Sequence, residues 1–253
     1  EQKFYDWYLS SGIEGRVRKN NMQDMDEFVE EGIYDKDKLS RDKSKLEYLR
    51  NNPKEKDPTH RAEIAEHILV TYASDSNWFG KNSTIGKTLE FDDRSGHVDA
   101  IVEWDSEDSG EVEARLAIDI TTSESDEVLK KKKGFVKDDI FSKKLTSLEY
   151  FRSETAGDLV GKIDKIPRVV LVINKDSLPD LCKKIMAMDP QKATEYSGAE
   201  KHPMQLYFLY ASREQLEDQI QYLKASQLAA LDKDSYVEII ENTQKTLDLI
   251  KKS

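Results

Sequence analysis

Two aspartates stand alone inside apolar stretches of the chain, and they constrain its fold more than any other feature. Asp99 lies in HVDAIVEW and Asp119 in LAIDIT, and both segments alternate in the manner of half-buried strands. An aspartate in such a strand has a low β-propensity and a large desolvation cost unless it is paired or binds a metal. The polar segment DSEDSGE between them predicts a turn, so the two carboxylates are expected to converge on one place.

The period of two in each strand predicts where the aspartates point. In LAIDIT, Asp119 faces away from the aliphatic stripe of the strand. In HVDAIVEW, Asp99 is expected on the face of Ile101, with Val98 on the opposite face.

Each aspartate taken singly also has a structural explanation. Asp119 could be an acid at a turn or at the start of a helix, and Asp99 could be a strand-end residue paired with Arg94 or Arg115. These explanations lose weight when both residues are considered with the segments that flank them.

The flanking segments predict an α/β protein. DPTHRAEIAEHILVTYA begins as a helix, with Asp57 as N-cap and Pro58 at the first position, and TIGKTLEF follows as a strand. Beyond Asp119 we expect a helix from about Asp126, a buried strand in IPRVVLVINKDS, a helix over 178–188 and a strand in MQLYFLYAS. This order predicts a central mixed sheet flanked by helices.

The length of the chain, 253 residues, suits one domain with helical additions better than two full domains. We expect the α/β core at 57–211. Residues 1–56 are predicted to form a helical N-terminal extension and 212–253 a helical C-terminal extension.

The order of elements and acids resembles the PD-(D/E)xK nuclease superfamily, which has the restriction-endonuclease-like fold. Asp99 matches the first aspartate of the motif, Asp119 matches the second acid, and Glu63 or Glu66 matches the glutamate of the first helix. The resemblance covers roughly 57–211 and implies a metal-dependent nuclease. In one respect the sequence departs from the motif, because Thr121 stands where (D/E)xK has its lysine.

A lysine from the next helix is the expected replacement. Val128, Lys132, Val136 and Ile140 follow in steps of four, which places Lys132 near the centre of the apolar face of that helix. Lys133 lies at the edge of that face, while the lysines at 130 and 131 turn outward. The alternative is that the whole KKKK run is a solvated basic patch.

The cap-snatching endonucleases of segmented negative-strand RNA viruses are similar in this respect. They have a threonine two residues after the strand acid, a lysine from the next helix, and a histidine or glutamate on the first helix. His67 is the candidate histidine, and the likeness favours Lys132 or Lys133 as the migrated lysine.

The resemblance implies a set of roles for these residues. Glu66, Asp99, Asp119 and the backbone carbonyl of Ile120 would hold one or two Mg²⁺ or Mn²⁺ ions, with His67 as a further candidate ligand. Lys132 would position the attacking water or neutralise charge at the phosphate. Two other function classes stay open. The first is a catalytically inactive module of the same fold that binds nucleic acid or protein. The weaker one is a nucleotide hydrolase that uses the glycine-containing segment GKNSTIGKT, although its spacing does not match a phosphate-binding loop.

Charge and composition limit the partners. The formal net charge of −11 argues against broad duplex binding, so a nucleic-acid partner requires a local basic strip. The candidates for that strip are Lys130 to Lys133, Lys137, Lys143, Lys144 and Arg152. A single cysteine, Cys182, argues against disulfides and predicts a reducing, intracellular location. No apolar run is long enough to span a membrane.

Overall fold

A four-stranded mixed sheet forms the centre of the protein in the computed structural model, which describes residues 6, 24–52, 60–106, 109–123, 125–141, 145–157, 159–174, 176–187, 202–227 and 233–253. The strands are β1 (Ser83–Lys87), β2 (Ala100–Asp105), β3 (Val112–Thr121), β4 (Thr146–Arg152), β5 (Val160–Ile166) and β6 (Arg168–Val172). The sheet has the order β1-β2-β3-β6, while β4 and β5 form a separate antiparallel hairpin. β2 is antiparallel to both β1 and β3, and β6 is parallel to β3.

Helices cover the sheet and extend from both ends of the core. In chain order they are α1 (Met25–Glu30), α2 (Lys36–Arg50), α3 (His60–His67), α4 (Glu90–Gly96), α5 (Asp126–Phe141), α6 (Ser177–Ala187), α7 (Pro203–Gln227) and α8 (Lys233–Lys252). A π-helical segment, Ile68–Ala73, continues α3. The expectation of an α/β protein with a mixed sheet flanked by helices is therefore confirmed.

The two faces of the sheet pack against different layers. Ile118 on β3 belongs to the largest apolar cluster, together with Ile64 of α3 and Phe208 of α7. Ala117, on the opposite face, packs in a smaller cluster with Leu148 of the β4–β5 hairpin. This confirms the predicted alternation of LAIDIT. Strand β6 is buried on both faces, as its continuous aliphatic sequence predicts.

The segment MQLYFLYAS is helical, so its prediction as a strand was wrong. It forms the first turns of α7, in which Met204, Phe208 and Leu216 point into the core while Leu206 and Tyr210 are exposed. A short segment that is apolar on every side has no readable period, and the length of the helix that follows it decides its conformation. The expected core boundary at 211 consequently falls inside a continuous helix.

Two further elements differ from the prediction. TIGKTLEF is a strand only as far as Lys87, and the separate helix α4 begins at Glu90. The β4–β5 hairpin was not predicted at all, and it covers the sheet face that carries Ile101. Val98 packs in that same cluster rather than on the opposite face, because β2 begins only at Ala100 and the regular alternation does not extend back to residue 98.

The N-terminal extension is helical where the structure describes it. Asp24 and Asp35 cap α1 and α2 by accepting hydrogen bonds from backbone N–H groups. Phe28 of α1 packs against Tyr150 of β4, which attaches these helices to the core. The predicted helix start at 57–58 lies outside the described residues. Within the described ranges, no helix has both the length and the apolar character needed to cross a membrane.

Candidate functional site

The acids singled out from the sequence lie at one edge of the sheet. Strands β1, β3 and β6 run in the same direction, so their C-terminal ends share an edge with the start of β2. Asp99 immediately precedes β2, and Asp119 lies two residues before the end of β3. Asp119 is therefore a strand residue, and its explanation as an acid at a turn or helix start was wrong.

The side chain of Asp99 continues the ladder between β2 and β3. The paired residues end at Ala100 and Ile118, and beyond them the N–H of Ile120 donates to Asp99 Oδ2 at 2.6 Å. The N–H and C=O of one strand residue point to the same side of the strand. The carbonyl of Ile120, the predicted backbone ligand, is therefore directed to the side on which Asp99 lies.

The two carboxylate oxygens of Asp119 have different environments. Its side chain is 1% exposed, and Oδ1 accepts a hydrogen bond from Lys132 Nζ. The other oxygen, Oδ2, is buried and receives no hydrogen bond from any residue that the structure describes. Burial raises the pKa of Asp119, while the charges of Lys132 and Arg168 oppose that rise. A buried oxygen without a donor is costly, and a cation is one group that would satisfy it.

Helix α5 presents Lys132 to the sheet. Val136 and Ile140, one and two turns further on, are buried against Val170 of β6. The helix runs through Gly134 without interruption. The lysines at 130, 131 and 133 are exposed, so Lys132 is the member of the run that faces the acids, as the steps of four predict.

A second lysine lies in the same site. Lys87, the last residue of β1, binds Glu66 Oε2 of α3 at 2.8 Å. Burial alone would lower the pKa of Lys87, but the charges of Glu66, Asp93 and Asp99 outweigh burial and raise it. Lys87 was not predicted as a site residue, because nothing in the sequence distinguishes a lysine at the end of a strand from a solvated one.

Asp93 is a fourth carboxylate of the site, and it was also missed. Burial and then the charge of Glu66 raise its pKa to about 6, against a hydrogen bond with Asp99 and the charges of Lys87 and Arg94. In sequence, Asp93 reads as an ordinary acid in the first turn of α4, where negative charge favours the helix dipole. His97 ends that helix in the left-handed region, with φ of 57°, and the turn brings Asp93 back to Asp99.

The pKa of Asp99 shows how much charge is concentrated here. Burial raises it well above the ordinary value, and the charges of Asp93, Asp119 and Glu66 raise it further, while Lys132 opposes the rise. The structure thus brings Glu66, Asp93, Asp99 and Asp119 together with two lysines. Four carboxylates and two ammonium groups therefore concentrate charge at this edge of the sheet.

The two first-helix candidates that remain occupy different places. Glu63 lies one turn before Glu66 and is partly buried. His67 is buried beside Tyr72, and burial followed by the charge of Lys87 lowers its pKa to about 3. The imidazole is therefore neutral at physiological pH, which is the state in which histidine binds metals.

The arginines proposed as structural partners of Asp99 bind other acids. Arg94 binds Glu90 at 2.7 Å, and Arg115 binds Glu103 at 2.9 Å. Among the strip candidates, Arg152 binds Glu31 at 2.6 Å, and the lysines at 143 and 144 lie outside the described residues. Ser83–Lys87 of the glycine-containing segment in the nucleotide-hydrolase alternative form strand β1, paired with β2, where a phosphate-binding loop would need an open turn.

No group of three or more histidine, cysteine, aspartate or glutamate side chains is arranged to hold a metal within the part of the chain that the structure describes. Lys132 and Lys87 each hold a carboxylate oxygen that a cation would have to share or take. The chain matches no protein-family model, no curated protein and no solved structure.

The raised pKa values predict an unusual pH dependence of stability. The folded protein retains a proton on Asp93 up to about pH 6, whereas the unfolded chain releases it near the ordinary aspartate pKa of 3.8. The stability that this proton contributes is fully present below the unfolded pKa of 3.8, and it is lost as the pH rises through the folded pKa of about 6. We expect the melting temperature in EDTA to fall between about pH 4 and 6 and to level off above that range.

The matched variant for that prediction is Asp93→Asn, measured by thermal denaturation over the same pH range. It should reduce the slope without abolishing it, because burial also raises the pKa of Asp92 to about 6. A slope that is identical in the variant would contradict the assignment of the proton to Asp93.

Proposed function

We propose that the protein is a divalent-metal-dependent nuclease of the PD-(D/E)xK type, which hydrolyses phosphodiester bonds in DNA or RNA inside the cell. The observation that carries the proposal is the difference between the two carboxylate oxygens of Asp119. One oxygen holds the ammonium of Lys132, and the other is buried without a hydrogen-bond donor among the described residues. A nuclease site of this kind requires a metal ligand and a lysine side by side. Asp119 provides for both, because Oδ2 is available as a metal ligand and Oδ1 positions Lys132.

The residues fit an oxygen-ligated Mg²⁺ or Mn²⁺. Asp119 Oδ2, the carboxylate of Asp99, the carbonyl of Ile120 and Glu66 would hold the ion, with His67 as a further ligand. When bound, such an ion polarises the phosphate and lowers the pKa of a water molecule. Asp99 also has a positioning role. Its Oδ2 accepts a hydrogen bond from the N–H of Ile120, which holds the start of β2 against β3 next to the proposed ligands.

Lys132 supplies the basic group that the motif places on the strand. Its ammonium is held at Asp119, and its side chain is 23% exposed, so the residue is fixed by the carboxylate and still partly accessible. In that position it orients the attacking water or stabilises negative charge on the phosphate. Thr121 takes the position of the motif lysine and is buried at the end of β3.

The exposed face of α5 supports a nucleic-acid partner. The lysines at 130, 131, 133 and 137 are exposed on the helix that delivers Lys132. A local basic surface next to the acids would attract the phosphate backbone in spite of the overall charge of −11.

The alternative is a catalytically inactive module of the same fold that binds nucleic acid or protein. Thr121 favours it, because a strand position that has lost its lysine is what an inactive descendant would show. Metal-dependent cleavage separates the two functions.

The test combines a metal soak with an activity assay. Crystals soaked in Mn²⁺ should show anomalous density between Asp99 and Asp119, and the protein should cleave single- or double-stranded DNA or RNA only when the metal is present. Density at the site without cleavage of any of these substrates would favour the binding module. A site that takes up no Mn²⁺ would contradict both the metal centre and the nuclease.

The first-helix glutamates provide a matched pair of variants. We expect Glu66→Ala to lower both Mn²⁺ affinity and cleavage by about tenfold or more, because Glu66 lies close enough to raise the pKa values of Asp93 and Asp99. Glu63→Ala removes the same charge one turn away and should leave both quantities within about twofold. Calorimetric titration with Mn²⁺ and initial cleavage rates measure them, and the reverse result would reassign the ligand to Glu63.

A further inference from the structure

Lys87 approaches the acidic cluster from a different element than Lys132. It is the last residue of β1, paired in register with Ala100, which directly follows Asp99. Its ammonium lies 2.8 Å from Glu66 Oε2. The site therefore contains a cation of its own, bound to one of the carboxylates that we assign to the metal.

The two lysines differ in how firmly they are held. Lys132 extends from the buried side of a 16-residue helix and binds a carboxylate that is 1% exposed. The side chain of Lys87 is 39% exposed and binds a carboxylate that is 16% exposed. A lysine has a flexible four-carbon stem, so the ammonium of a partly exposed ion pair can move to a neighbouring acceptor.

A divalent cation bound by Glu66 would repel the ammonium of Lys87, and Lys87 is the less firmly held of the two lysines, so it is the one that can move away. We propose that Lys87 is a displaceable counter-ion of the site. It holds Glu66 in the absence of metal, leaves that carboxylate when a divalent cation takes it, and then binds a phosphate oxygen of the nucleic acid. This inference rests on the proposed function and adds a coupling between metal loading and substrate binding.

The test uses Lys87→Met, with Lys81→Met as the matched control. Lys81 is an exposed lysine in the turn before β1, at the opposite end of that strand from Lys87. Mn²⁺ affinity is measured by calorimetric titration, and affinity for a labelled oligonucleotide is measured by fluorescence anisotropy in Ca²⁺. We expect Lys87→Met to bind Mn²⁺ about tenfold tighter and the oligonucleotide about tenfold more weakly, whereas Lys81→Met changes neither by more than about twofold.

Two further variants keep the inference testable if Lys87→Met is poorly folded. Lys87→Arg offers Glu66 a bidentate partner, so Mn²⁺ should bind more weakly than to the wild type. In a Glu66→Gln background the metal no longer competes for that charge, so Lys87→Met should leave Mn²⁺ affinity unchanged.

The outcomes separate the two proposals. A wild-type protein that does not bind Mn²⁺ would overturn the metal site itself. Wild-type binding of Mn²⁺ with no tightening in Lys87→Met, or with full oligonucleotide affinity in that variant, would overturn the role of Lys87 and leave the nuclease proposal in place.

Discussion

Lys132→Ala is expected to lower the rate of phosphodiester cleavage by about two to four orders of magnitude, the effect of removing a main electrostatic or proton-transfer group. Lys132 binds Asp119 Oδ1, so its removal also leaves a buried carboxylate with less compensation. The metal-free variant should therefore melt at a lower temperature, with a loss on the order of 2 kcal/mol. Mn²⁺ should bind as tightly as in the wild type or more tightly, because a nearby positive charge is gone.

Lys131→Ala is the control for this prediction. Lys131 is exposed on the same helix, where its ammonium lies 5.7 Å from the centre of the Phe135 ring. Its removal should chiefly weaken substrate binding, by an amount that shrinks as salt is added. Steady-state kinetics at two salt concentrations distinguish the two variants.

A rescue experiment sharpens the assignment. Thr121 shares a strand face with Asp119, so Thr121→Lys combined with Lys132→Ala should recover part of the lost activity. Equal and mild losses at both lysines, without rescue, would show that the basic run is only a solvated surface and would favour the binding module.

Asp119→Asn is expected to abolish the stabilisation of the protein by Mn²⁺. At a concentration 100 times the dissociation constant, a bound ligand stabilises the folded state by about 2.7 kcal/mol, which corresponds to a rise in melting temperature of roughly 5–10 °C for a protein of this size. The variant loses the buried Oδ2 charge that we assign to the ion, so its melting temperature should not respond.

The metal-free behaviour of the same variant follows from the pKa direction. Burial raises the pKa of Asp119, so the ionised form costs stability at pH values above that pKa. Asparagine is neutral, and metal-free Asp119→Asn should melt at the wild-type temperature or above it. Asp138→Asn, which changes an exposed acid of α5, should retain the full response to Mn²⁺. A wild-type melting temperature that ignores millimolar Mn²⁺ would contradict the metal site.

Local periodicity determined several parts of the site before any long-range contact was known. The alternation of LAIDIT places Asp119 opposite the aliphatic stripe, and the steps of four in α5 place Lys132 on the inner face of the helix. Both are properties of single elements, in which the backbone repeat fixes the direction of each side chain. Asp119 and Lys132 form an ion pair, and the direction of each side chain could be predicted from the repeat of its own strand or helix.

Tertiary structure alone brought Asp93 and Lys87 to the site. Asp93 reaches Asp99 because α4 ends in a left-handed residue and the chain turns back, and Lys87 meets Glu66 across 21 residues of sequence. Neither residue has an unusual local pattern, since acids are common in first turns and lysines are common at strand ends. Their significance comes from neighbours that are distant in the chain.

The same distinction separates the parts of the fold that were predicted correctly from those that were not. The segments around β3, α5 and β6 have a clear period or a long aliphatic run, so the local pattern of apolar residues was enough to predict each one as a strand or a helix. MQLYFLYAS carries no period, and only its continuation into the 25-residue helix α7 made it helical. The sequence by itself determined the α/β class and the directions of Asp119 and Lys132, because these depend on the backbone repeat. The full set of four acids and two lysines was decided by packing, because only the folded sheet edge brings those side chains within reach of one another.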